Sequence, residues 1–145
     1  MALERAPELE QAHEEFAAAL RGRDMAALRE MISAHPATAS RGTDPTEVVR
    51  GRDEFLAAIE NEPEGEYSFT DNHCEAYAEG DLGYVYAESI LSLPNGAEFP
   101  LRGLVVAHRE DGRWRFHHGL NAIPVANELL TPASPLALRT TAASG

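Results

Sequence analysis

Four long stretches in the second half of the chain alternate apolar and polar side chains, with only a few residues between one stretch and the next. They span 66–79, 82–93, 98–109 and 113–122. Period-two alternation is the mark of a strand with one face covered. The connecting segments Glu79-Gly80-Asp81, Pro94-Asn95-Gly96 and Glu110-Asp111-Gly112 have hairpin chemistry. Strands joined this tightly can only run antiparallel, so the second half is expected to be a meander. Strands of this length curl. The glycines inside them, Gly83, Gly103 and Gly119, are the expected bends or bulges.

The first half has helical spacing instead. Leu9, His13, Phe16 and Leu20 mark one face of a first helix, expected to end at Gly22 with that glycine at the C′ position. Asp24 stands where it would cap a second helix, whose buried side is Met25, Leu28 and Ile32 and which Pro36 stops. Residues 37–42 suit a first strand and Thr43-Asp44-Pro45 a turn. A third helix follows Gly51 on Phe55, Leu56 and Ile59. A short helix is expected over 125–130. Helices followed by a meander give an α+β fold, with the helices packed on one face of a curved antiparallel sheet around an interior pocket. One domain over 1–130 and a flexible tail over 131–145 are expected, since the tail is rich in Ser, Thr, Ala and Pro.

Composition narrows the chemistry. All twelve basic residues are arginines, against twenty-four acids, giving a net charge of −12. Such a charge repels nucleic acid and anionic membrane. Without lysine, these residues cannot supply a Schiff base or a P-loop lysine. Cys74 is the single cysteine, which excludes an intrachain disulfide and multi-cysteine metal sites. Residues 1–15 are acidic and lack an apolar core, so no signal peptide is expected there. A cytoplasmic location follows from these readings as an expectation.

The order of motifs is informative. Arg21-Gly22-Arg23-Asp24, Gly42-Thr43-Asp44-Pro45, Gly51-Arg52-Asp53-Glu54-Phe55, Ala78-Glu79-Gly80-Asp81 and Asp111-Gly112-Arg113-Trp114 occur in sequence. Together they resemble the SnoaL-like branch of the nuclear transport factor 2-like superfamily over roughly residues 8–130. The resemblance implies an α+β cone with a sheet bent around a pocket. It also implies a function among isomerases, polyketide cyclases, dehydratases, epoxide hydrolases and binding domains, so fold alone does not decide the reaction. The positions corresponding to ketosteroid isomerase catalysts fall at Phe16, near Ser40, and near Leu104 or Val105. None of these carries the required chemical group.

The candidate site follows from straight alternation. Trp114, Phe116, His118 and Leu120 would share the pocket face. His118, Asp44 and Tyr86 are the candidate catalytic residues, with histidine titrating near neutral pH. Phe16, Tyr84, Glu88, Trp114 and Phe116 are the candidate ligand-binding residues. Each has a plainer reading: Asp44 as an Asx-turn residue before Pro45, the tyrosines as sheet packing, His118 as a hydrogen-bonded rim residue. Asp71, His73 and Glu75 alternate and could present metal ligands, but also fit a solvated face, and no metal or cofactor is expected. Cys74 fits a small core residue. His13 could look into the closed end of the cone, and Arg41 could bind a carboxylate. The expected ligand is a hydrophobic small molecule of polyketide, steroid-like or terpenoid type. The activity, if there is one, would be that of a cofactor-independent isomerase, cyclase or lyase. A third reading is a non-catalytic interaction module. A homodimer is expected through an outer sheet face bearing Val85, Leu91, Leu104 and Val106, with Arg102 and His108 beside them.

Overall fold

A computed structural model of the chain describes residues 2–63, 65 and 68–129. The first helix, α1 (Pro7–Arg21), starts with Pro7 in its first turn, where no amide partner is lost, and carries Glu8 and Glu10 at its positive end. Leu9 is fully buried. Gly22 does not take the left-handed conformation; its φ is −85°, and Arg23 takes φ +49° instead. The α2 helix (Met25–Met31) is capped as expected, with Asp24 Oδ1 accepting the Ala27 amide at 3.1 Å. The third helix, α3 (Arg52–Asn61), follows Gly51, whose φ is +83°.

Seven strands form one open, curved, mixed sheet in the order β1-β4-β5-β6-β7-β2-β3. The four long ones are β4 (Ser68–Glu79), β5 (Leu82–Ser92), β6 (Glu98–Glu110) and β7 (Arg113–Ala122). They form the antiparallel meander. One of its two-residue turns uses Asp111 and Gly112, with φ of 52° and 76°, both positive as a type I′ hairpin turn requires. Three short strands were harder to see: β1 (Glu4–Arg5), β2 (Ala39–Arg41) and β3 (Val48–Arg50). Of these only β2 falls in a segment read as a strand. The β2 strand runs parallel to β7, so the sheet is mixed and not wholly antiparallel. The expected 125–130 helix is a single 3₁₀ turn over Asn127–Leu129. The tail over 131–145 lies outside the described residues.

Two groups of buried side chains join helices to sheet. Ala6, Leu9, Ala76, Val85, Ala107 and Phe116 form the first. Ala19, Leu28, Ile32 and Leu56 form the second. Phe16 touches both, with its ring 4.8 Å from Phe116 and 6.4 Å from Phe55. Val85 is 1% exposed and faces the helices, with Leu91 alternating to the same side, which removes both from the outer face. α1 comes so close to β5 that a Cβ on Gly83 would lie 2.8 Å from both Leu9 Cδ2 and the Tyr77 carbonyl oxygen. Close approach, not bending, is the work of that glycine. The bulges lie elsewhere, at Asn72 in β4 and His117 in β7.

Candidate functional site

Each bulge adds one residue and so reverses which side of the sheet the following residues face. In β7 the pairing runs Val106 to His118 and then Ala107 to Phe116, leaving His117 without an opposite residue. Phe116 is 5% exposed and sits in the core. Trp114 packs beside it under the Arg109 guanidinium, 4.6 Å from the ring centre. His118 emerges on the outer face with Leu120, which is 50% exposed. The four residues expected on one pocket wall are therefore divided two and two, because alternation counted straight through the bulge has the wrong phase. Arg41 Nη1 lies 2.8 Å from His118 Nε2. A guanidinium can only donate, so this nitrogen of His118 accepts and the ring proton is on Nδ1.

The other candidate residues are also apart. Tyr84, Tyr86 and Glu88 share the outer face of β5, opposite to Val85, and do not face the helices. Tyr86 Oη donates to Glu88 Oε1 at 2.6 Å, and that bond raises its pKa. Tyr84 stacks on Tyr77 at 5.9 Å. Asp44 Oδ1 accepts from the amide and hydroxyl of Thr46, at 2.8 and 2.6 Å, which lowers its pKa and makes it a turn residue. Phe16, Trp114 and Phe116 fill the core instead of lining a void.

The bulge in β4 breaks the other expected group. Asp71 pairs with Ser89, and His73 with Glu88, so Asn72 is the added residue. His73 and Glu75 remain together on the outside, 3.5 Å apart. Asp71 turns toward α1, where Arg21 Nη1 is 3.8 Å away. Among the described residues no three His, Cys, Asp or Glu side chains are grouped to hold a metal ion, and no helix is long and apolar enough to cross a membrane.

Between α1 and β4 this leaves a cleft of about 620 Å³, lined by Glu10, His13, Glu14, Arg21, Asp71 and Cys74 among others. His13 comes from the stripe of α1, and its ring meets Phe116 edge-on at 6.1 Å. Its Nδ1 is 3.7 Å from Cys74 Sγ. Burial lowers the His13 pKa, against the smaller opposing charge of Asp71, so the imidazole is neutral at pH 7. Burial raises that of Cys74, and Glu10, Asp71 and Glu14 raise it further. The thiol therefore stays protonated. Neutral imidazole, thiol and carboxylate facing one cleft can exchange a proton with a bound molecule. They cannot supply a thiolate nucleophile. His13 and Cys74 were each visible in the sequence as inward residues; only the Asn72 bulge brings Asp71 beside them.

No curated protein matches the sequence. Several crystal structures match the fold. An NTF2-like protein of unknown function from Pseudomonas putida KT2440 superposes with a TM-score of 0.71 at 19% identity, covering 89% of this chain and 95% of that one. A protein from Streptomyces avermitilis, provisionally assigned as a dehydratase of the NTF2-like family, gives 0.69 at 16% identity, covering 83% and 96%. One from Shewanella frigidimarina NCIMB 400, provisionally assigned as a ketosteroid isomerase, gives 0.63 at 17%, covering 77% and 92%. The SnoaL-like domain model matches residues 9–126, from the first buried leucine of α1 to just past the last long strand, and the chain belongs to that family.

Proposed function

We propose that the chain binds a small molecule in the cleft between α1 and β4 and uses His13 to move a proton on it. One observation carries this reading: a histidine kept neutral by burial opens onto the cleft. A neutral imidazole can take a proton from a carbon or hydroxyl group, and Asp71 would then stabilise the imidazolium. Isomerisations, aldol-type cyclisations and β-eliminations next to a carbonyl begin with such a step and need no cofactor. The fold neighbours provisionally assigned as an isomerase and a dehydratase support the same class. Glu10, Glu14, Arg21 and Asp71 around the opening favour a ligand with polar groups there over a wholly apolar one. The test uses a panel of cyclic enones and hydroxyketones. Binding should shift the NMR signals of His13 and Asp71, and His13→Gln should keep binding while lowering turnover by about 10²-fold or more. Shifts confined to other surfaces would reject the cleft.

A second reading, a homodimer through the outer sheet face, is supported by Leu104 and Leu120, paired neighbours on β6 and β7 that are 44% and 50% exposed. A solution mass of twice 15.8 kDa, returning to one copy in Leu104→Arg, is the expected result.

A further inference from the structure

The segment between α2 and β2, residues 33–38, is held against the β7 bulge by polar bonds at both ends. Ser33 is fully buried; its amide donates to the Phe116 carbonyl at 2.9 Å, and its hydroxyl donates to Glu110 Oε1 at 2.6 Å. Thr38 is 5% exposed; its hydroxyl donates to the Ser33 carbonyl at 3.0 Å, and its own carbonyl accepts the Gly51 amide at 2.6 Å. Between these ends stands His35. Its ring lies 5.1 Å from that of His117, the added residue of the bulge. His35 Nδ1 accepts the Ala37 amide at 3.1 Å. That bond requires an unprotonated Nδ1.

We propose that the His35–His117 ring pair is an acid-sensitive latch, closed when both rings are neutral and opened when they gain protons. Two separate effects act in the same direction. A protonated His35 carries a hydrogen on Nδ1 and can no longer accept from Ala37. Two imidazolium rings at this separation also repel, although exposure of His35 moderates the repulsion. The surroundings do not compensate. On β6, Glu110 is the facing carboxylate, but it is engaged by Ser33 and by Arg115, 3.6 Å away. His108, on β6, lies 4.0 Å from the same carboxylate. On β7, His118 adds a further ring, itself in contact with Arg41 of β2. On α2, Glu30 is bound to Arg115. Burial first, and His35 second, lower the His117 pKa, in line with this arrangement. Among the described residues, these rings and the neighbouring Glu110 are not grouped to hold a metal ion. Opening would loosen the start of β2, and with it the parallel pairing of Ala39 with His118.

The test is amide hydrogen exchange at pH 7.5 and 5.5, expressed as protection factors so that intrinsic rates cancel. Thr38 and Gly51 should lose on the order of tenfold protection at pH 5.5, while amides in the middle of β5 keep theirs. His117→Phe keeps a ring against His35 but cannot titrate; it removes the ring repulsion and leaves only the His35–Ala37 bond to respond, so the loss should shrink clearly. An equal loss in this variant, or none in the native chain, overturns the proposal. A second measurement needs no variant at position 117: in His35→Gln, the His117 ring should titrate at a higher pH than in the native chain. An unchanged midpoint overturns the proposal as well.

Discussion

His118 and Phe116 are two residues apart on one strand, yet they face opposite sides of the sheet. The bulge at His117 separates a core residue from a surface one, and their substitutions should differ accordingly. Phe116→Ala removes a ring that contacts Phe16 and His13 and should cost about 3–5 kcal/mol. His118→Ala loses a partly exposed hydrogen bond to Arg41 and should cost about 1 kcal/mol. Urea unfolding of the two variants measures the difference. Comparable losses would mean that His118 shares the core face after all.

Gly83→Ala tests the contact of α1 with β5. The added methyl group would lie 2.8 Å from Leu9 Cδ2 and from the Tyr77 carbonyl oxygen, and 3.0 Å from Ala78 Cβ. Backbone on one side and a buried leucine on the other leave little room to adjust. A loss of about 1–3 kcal/mol is expected by thermal or urea unfolding. A neutral result would show that α1 can lift from the sheet.

Trp114→Phe should be mild for a large aromatic residue. The indole Nε1 is buried and has no hydrogen-bond partner among the described residues, so phenylalanine gives up no bond to them there. The Arg109 guanidinium over the ring keeps an aromatic face, though a weaker one. Stability should change by less than about 1.5 kcal/mol. A larger loss would mean that the nitrogen does have a partner in solution.

The contrast between fold and site shows what sequence patterning carries. Asp24, Asp111 and Gly112 announce a cap and a turn through their own backbone chemistry, so the elements they bound are readable locally. The family motifs add the order of those elements. A bulge has no such signature here. Neither Asn72 nor His117 is a glycine, and each is specified by what packs around it: Asp71 turning to Arg21, and Phe116 seating among Leu9, Val85 and Ala107. One added residue in each strand was enough to move His118 outward and Asp71 inward. The helical histidine escaped this error, because the stripe on α1 has no comparable interruption. The β3 strand escapes the sequence pattern for another reason. Three residues per strand are too few for alternation to show.

The last prediction concerns acid. Burial holds the His13 pKa below histidine's ordinary value of 6.5, with Asp71 opposing. Above that value His13 is neutral in both the folded and the unfolded chain, and its contribution to stability is fully present. As pH falls below it, the unfolded chain takes up the proton first, so stability declines until the folded value is passed. His117 is lowered too and acts in the same direction, which makes variants necessary to separate them. His13→Phe keeps an aromatic ring against Phe116 and removes the titration. Between pH 7.5 and 5.5, the native chain should lose more of its urea midpoint than this variant does. Proton transfer by a neutral His13 should decline over the same range. The Cys74 thiol should remain slow toward iodoacetamide throughout, since burial and the nearby carboxylates keep it protonated. A native chain and variant with superimposable pH profiles would show that His13 is solvated, and the cleft would then lose its base.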